Sequence, residues 1–368
     1  YSFGLLGALA DAGASTTFVG LHPAEGPEPE GQLQRWCRAV EWRMARAPER
    51  GTVGALAISL PLVAARASPP EVVDTLRAVL GGPRFDAVVF DNYVSGWALD
   101  LVRHTARGRP PLGVYVAHND ETKLAADIEA AFKGDPFRKA ALRLNAGKIG
   151  RLETRLLCGT DLLVTLTEHD RDKLLPRNPA LATLVLPPGY ISHRRPSRRI
   201  TADVPRRVAM LGSIRWIAKR MNVAAFLQAA DRRLAEAGIT LDLIGDVPDD
   251  FRTEWEPRLA ATRFRGFVDD LPREMDQVRL GLVVEATGGG FKLKTLDYLF
   301  NRVPVAALAV SCEGLPKAVV DTFLLADDVT GLTDRIIGAI DDLTDLNSRQ
   351  EAAFAAANAT FDWPPNGR

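Results

Sequence analysis

From residue 288 to 297 the chain reads GGGFKLKTLD: three glycines, then Lys292, Lys294 and the acid Asp297. Glycine lets a backbone approach a ligand closely, and two lysines near each other gather positive charge. That is chemistry for a multiply charged anion. If a helix opens near Phe291 or Lys292, its first amides add to the same field. Asp297, one turn in, can then accept hydrogen bonds from paired sugar hydroxyls. The alternative is a flexible loop before a surface helix. Three glycines lose extra backbone entropy on folding, which weighs against that use.

A second stretch, MLGSIRWIAKRMN, ends an apolar run in Gly212 and Ser213 and continues with Arg215, Lys219 and Arg220. It is either a tight turn before a solvated basic helix or a second strand end that faces an anion. Taken together, the two stretches offer five cationic side chains and two glycine turns. Such a set suits a diphosphate held without metal, lysine and arginine supplying the charge that magnesium otherwise brings.

The elements that must position these residues follow an α/β pattern. FDAVVFDN, PLGVYVAHN, DLLVTLT and ATLVL are short, continuous apolar runs, as buried parallel strands require. Helical patterns lie between them, including one long stretch over 123–157. The alternation restarts after a polar, arginine-rich segment with RVAMLGS, ITLDLIGD, TRFRGFV, RLGLVVEA, VPVAALA and TFLLADD. At 368 residues the chain is long enough for two domains. The expected division is a Rossmann-like unit over 1–192, a linker over 193–206, a second Rossmann-like unit over 207–348 and a returning C-terminal helix over 349–368. The opening YSFGLLGALADAGASTTFVGL gives a helix and then a strand, whereas such a unit usually begins with a strand, so a further strand is expected before it. Ligands of open α/β sheets sit beyond the carboxyl ends of the strands, where nearly all these residues fall.

Composition narrows the classes. Lys+Arg and Asp+Glu both total 46, a neutral balance that argues against a general nucleic-acid binder. No long apolar run suggests a membrane span. Cys37, Cys158 and Cys312 are far apart, odd in number and in no metal spacing, which fits a reducing cytoplasm. His118 stands at a strand end beside Asn119, Asp120 and Glu121; Asn119 or Asp120 is expected to cap the next helix, and His118 is a candidate site residue. DRD at 170–172 reads as the first turn of a helix capped by Thr167, not as a metal motif. FRKAALRLNAGKIGR carries Arg138, Lys139, Arg143, Lys148 and Arg151. It is either a basic helix face in water or a surface that lies on anionic lipid at the inner face of a membrane.

MLGSIRW, LIGD, FRGFVDDLP, GGGFKLKTLDYLFNRVPVAAL, CEGL and a terminal FDW, in that order, resemble the retaining group 1 (family 4) glycosyltransferases. VAHNDE and DLLVTLTEHDRDKL resemble that family's N-terminal half, so the likeness covers nearly all of the chain. It implies a GT-B fold, two Rossmann-like domains facing a cleft. It implies transfer of a sugar from a nucleotide-diphosphate donor to a saccharide, lipid-linked or small-molecule acceptor, with retention, no metal and no other cofactor. By position, Lys294 would contact the donor diphosphate, with Lys292, Arg215, Lys219 or Arg220 assisting. Gly288, Gly289, Gly290 and Phe291 would wrap it, Asp297 would hold the ribose, His118 would face the donor sugar, and Glu313 would lie on the nucleotide side. Two departures stand out: Gly289 replaces the first of the family's two glutamates, and Asp297 the second. A nucleotide-sugar epimerase, or a degenerate binding or scaffold protein of the same fold, are the alternatives. A dehydrogenase lacks its GxGxxG here.

Overall fold

The computed structural model describes residues 1–23, 33, 37–48, 51–105, 110–286 and 291–363. The chain forms two compact units, Tyr1–Gly189 with Asp362–Arg368, and Tyr190–Phe361. Every described strand pair is parallel.

Among the described residues the first unit contains two sheets. β1 (Thr16–Pro23) pairs with β2 (Val40–Ala47). β3 (Ala87–Asp91), β4 (Leu112–Ala117), β5 (Leu162–Thr165) and β6 (Ala182–Val185) form the other, in that order. The last four are the expected apolar runs. β2 has no counterpart among the expectations because VEWRMARA alternates buried and exposed side chains and is not continuously apolar. Phe90, Tyr115, Ala117 and Leu163 form the core with Ile149, Leu152, Leu156 and Leu157 of the helix Pro136–Gly159. The helical stretch expected over 123–157 is two helices, Glu121–Ala131 and Pro136–Gly159. Asp135 starts the second by accepting a hydrogen bond from the Arg138 amide (2.8 Å), with Pro136 in the first turn, so the boundary carries an ordinary N-terminal signal. Trp363 returns from the far end of the chain to this unit. Its indole fills the space where Gly4 and Gly189 have no side chain: a Cβ on Gly4 would lie 2.2 Å from it. The ring of Tyr1 meets it edge-on, centroids 5.3 Å apart.

The second unit has β7 (Arg207–Leu211), β8 (Thr240–Ile244), β9 (Thr262–Gly266), β10 (Leu280–Val283), β11 (Val305–Leu308) and β12 (Leu324–Ala326) in one sheet. Its order is β12-β11-β10-β7-β8-β9. Alternate residues of β7 enter different cores: Val208 and Met210 join Phe226, Leu241 and Leu282, while Ala209 and Leu211 join Leu296, Tyr298 and Leu299. Both faces are therefore covered, as continuous apolar strands demand. The strand sequence leaves β7 in one direction through β8 and β9 and in the other through β10. The crevice between the carboxyl ends of β7 and β10 is the switch point where such sheets hold ligands.

The arginine-rich segment before β7 is packed onto this second unit. Arg198 is buried and donates to Arg302 O (2.8 Å) and to Val278 O. Arg302 in turn donates to Arg195 O (2.9 Å) and Pro196 O (2.7 Å), and Asn347 exchanges hydrogen bonds with the Ile200 backbone. The guanidinium groups here bind carbonyls that a loop would otherwise leave bare. The helix Leu343–Thr360 is continuous across the boundary expected at 349.

Candidate functional site

β7 ends at Leu211, and Gly212 follows at φ +124°. Gly245 occupies the matching place after β8 at φ +133°, and a Cβ there would stand 2.4 Å from Gly212 O. Both turns therefore require glycine. They bring bare backbone to the end of the sheet. The helix Ile217–Glu236 starts just beyond, with no side-chain cap at Trp216 and no acid in its first turn.

β10 supplies the other wall. It continues through Val284 to Glu285, which is only 7% exposed. Opposite stands Lys294, the first residue of the helix Lys294–Phe300. Tyr298 fixes that helix to the sheet: the Leu211 amide donates to its hydroxyl (2.8 Å), which also reaches Ala209 O (3.0 Å). Gly281 makes room, since a Cβ on it would lie 2.5 Å from the Tyr298 ring. The result is a pocket lined by Gly212, Ser213, Lys219, Asn222, Glu285 and Lys294, among others.

Its electrostatics are concentrated. Lys294 Nζ lies 2.5 Å from Glu285 Oε1. Burial alone would raise the Glu285 pKa, but the charges of Lys294, Lys292 and Lys219 outweigh it and hold the carboxyl below its ordinary value. Lys219 is pushed down, by burial first and then by Lys294. Two ammonium groups and one carboxylate thus share a partly desolvated space, where each charge acts more strongly than in water.

The residues expected from sequence separate here. Gly212, Ser213, Lys219 and Lys294 come together in this pocket. Arg215 and Arg220 do not line it: Arg215 is exposed and paired with Asp246, while Arg220 pairs with Asp250 (2.5 Å) and lies over the Phe251 ring. The helix opens at Lys294, two residues beyond Lys292, and the turn that leads into it is closed by the Thr295 and Leu296 amides on Lys292 O (2.8 Å) and Leu293 O (2.9 Å). Gly288, Gly289 and Gly290 lie outside the described residues. Phe291 packs edge-on against Phe361, ring centroids 5.3 Å apart. Lys292 is half-buried, its charge felt by both Glu285 and Cys312. Asp297 takes a hydrogen bond from the Tyr190 hydroxyl (3.1 Å), and burial raises its pKa. Glu313 is exposed. Glu285 and Asn222 were not among the expected residues; the only signal for Glu285 was a carboxylate ending an apolar strand.

In the first unit, His118 Nε2 lies 2.7 Å from Asp91 Oδ1, and the Tyr1 ring meets the imidazole edge-on. Burial would raise Asp91, but the hydrogen bond and charge of His118, with a hydrogen bond from Ser2, carry its pKa below the ordinary value. Asp120 caps the helix Glu121–Ala131, accepting from the Lys123 amide (3.0 Å). Thr167 caps Glu168–Leu174 in the same way, so DRD is a helix turn. Among the described residues no group of His, Cys, Asp or Glu is placed to hold a metal ion. No described helix is long and apolar enough to cross a membrane. Arg138, Arg143 and Arg151 are exposed and Lys139 half-exposed, but Lys148 is buried and donates to Ile58 O (2.6 Å). Lys148 thus leaves the expected basic surface, its ammonium drawn inward by a carbonyl.

Residues 205–342 match the family model described as Glycosyl transferases group 1. The match contains the whole pocket. The fold is GT-B. Sucrose-phosphate synthase from Thermosynechococcus elongatus superposes with a TM-score of 0.69 at 16% identity, covering 99% of this chain and 89% of that one. Anabaena HepE, solved in complex with UDP and glucose, gives 0.69 at 14% identity, covering 100% and 92%. S. aureus TarM, in complex with fondaparinux, alpha-GlcNAc-glycerol and UDP, gives 0.59 at 9% identity over 80% of this chain, which spans only 57% of TarM. No curated protein sequence matches the chain.

Proposed function

We propose that the protein is a glycosyltransferase that moves a sugar from a nucleotide-diphosphate donor to a hydroxyl of a saccharide, lipid-linked or small-molecule acceptor. The observation that carries this is the pairing of Lys219 and Lys294 with the bare Gly212 turn at the β7/β10 switch point, inside the segment that matches the family. As the glycosidic bond breaks, negative charge grows on the leaving diphosphate. Ammonium groups already placed there stabilise it without reorganising. The reading includes retention, and lysine charge in place of a metal. UDP and glucose in the HepE structure support it by likeness of fold.

His118, held by Asp91, serves turnover and not nucleotide affinity in this reading. The exposed Phe137, Arg138, Arg143 and Arg151, with the half-exposed Lys139, on the helix Pro136–Gly159 suit an enzyme that works in the cytoplasm and rests against anionic lipid at the inner face of a membrane.

The test is a thermal-shift screen with UDP, GDP, ADP, dTDP and CDP, with and without EDTA. A ligand at 100 times its dissociation constant adds about 2.7 kcal/mol of stability. One nucleotide that raises Tm equally in EDTA supports the metal-free donor site and names the base. No shift with any of them would sink the reading in favour of a degenerate protein of the same fold.

A further inference from the structure

Resting on the donor-site reading above, we infer that Glu285 touches the ligand: its Oε2 accepts a hydrogen bond from a hydroxyl of the nucleotide sugar, while Oε1 holds Lys294.

Oε1 is satisfied by the ammonium group at 2.5 Å. Oε2 is buried and has no hydrogen-bond partner. Buried carboxylate oxygens are rarely left so, because desolvation is not recovered unless a donor arrives. The residue lines the same pocket as Lys219 and Lys294, two residues beyond the end of a wholly apolar strand. Apolar side chains would fill that position at less cost if packing were its only task.

The occupant's chemistry follows from the neighbours. A phosphate oxygen carries no proton and would be repelled by Oε2. A hydroxyl is neutral and donates, so it fits beside a carboxylate and two ammonium groups at once. Glu285 thus divides the pocket: the lysines face phosphate, and Oε2 faces the alcohol next to it. Its charge has a second effect, since it favours the protonated form of Lys219 against burial and against Lys294. The hydroxyl belongs to the ribose or to the transferred sugar, and both present vicinal alcohols close to the diphosphate. Asp297, expected from sequence to hold the ribose, does not line this pocket and accepts a hydrogen bond from Tyr190 on Oδ1.

The experiment is calorimetric titration of wild type and Glu285→Gln with the nucleoside diphosphate found by the screen, its 2′- and 3′-deoxy forms, and the corresponding nucleotide sugar. Glutamine keeps the shape and an oxygen for Lys294 but loses the anionic acceptor. We expect roughly 10-fold or more weaker binding by the variant. The loss should vanish for the analogue that lacks the recognised hydroxyl. A loss seen already with the diphosphate and absent with a deoxy form assigns the ribose. A loss confined to the nucleotide sugar assigns the sugar, and its deoxy-sugar analogue should bind both proteins alike. Equal weakening for every ligand, deoxy forms included, would overturn the inference, as would unchanged affinity throughout. If the variant does not fold, wild type decides: deoxy analogues of ribose and sugar that all bind as tightly as their parents refute the contact. Absence of any nucleotide binding by wild type would refute the donor reading itself, a different result from binding that ignores Glu285.

Discussion

β3 and β7 end in the same kind of turn and put it to opposite uses. After β3 the left-handed position is taken by Asn92, φ 64°; after β7 it is Gly212, φ 124°. The Asn92 side chain accepts from the Val94 amide (3.2 Å) and donates to Glu121 (3.3 Å), and Asp91 beside it pairs with His118. The polar groups at that strand end satisfy one another. At the β7 end glycine leaves backbone uncovered, and across from it a buried carboxylate oxygen has no partner. Both ends are rich in charge, so charge alone does not mark a ligand site. What sets the β7 end apart from the β3 end is Glu285 Oε2, which the protein does not satisfy itself.

The largest expected effect tests the glycine side of this contrast. Gly245→Ala must place a Cβ against Gly212 O at a positive φ, and should cost about 2–5 kcal/mol in urea unfolding. A loss below about 1 kcal/mol would show that the turn yields easily.

Next comes the closed end. Burial raises the Glu121 carboxyl to about 7, with Glu153 adding to it. The folded state therefore holds more protons than the unfolded one between about 4.5 and about 7. Its stabilising contribution is complete below that window and is lost as pH rises through it. Glu121→Gln, which mimics the protonated form, should match wild type near pH 4 and exceed it near pH 8 by up to about 3 kcal/mol. Parallel stability curves would contradict the buried, proton-holding carboxyl.

The open end should respond to ligand. Lys294→Ala is expected to weaken nucleoside diphosphate binding about 10- to 100-fold while leaving the bare nucleoside unchanged, since a charge-assisted contact is worth roughly 1.5–3 kcal/mol. Equal losses for both would remove the lysine from the phosphate. His118→Ala should lower turnover and leave diphosphate affinity within about twofold; an unaltered rate would confine His118 to structure. The smallest effect belongs to Arg215→Ala. An exposed ion pair contributes about 0–1 kcal/mol, so neither Tm nor diphosphate affinity should move appreciably.

Much of the frame could be read directly from sequence, for a physical reason. Strands covered on both faces are continuous apolar runs, and RVAML, LGLV and VAAL announce themselves. VEWRMARA did not, because one exposed face makes a strand alternate and imitate noise in so short a window. The site was half legible. Lys219 and Lys294 were visible as cations near glycines, but so were Arg215 and Arg220, and nothing local says that Asp246 and Asp250 neutralise those two. Pairing across 30 residues is decided by how β7 and β8 lie side by side. Glu285 was hidden for the converse reason. A carboxylate after a strand is ordinary in sequence, and only the return of Lys294 beside it makes it unusual.

Trp363 sets an order of assembly. The second unit is one uninterrupted stretch, Tyr190–Phe361, whereas the first is completed by residues on the far side of it. On the ribosome the indole that fills the gap between Gly4 and Gly189 emerges only after all of the second unit has been made. The first-made half is therefore the last to be finished. Until then its two glycines border an empty slot.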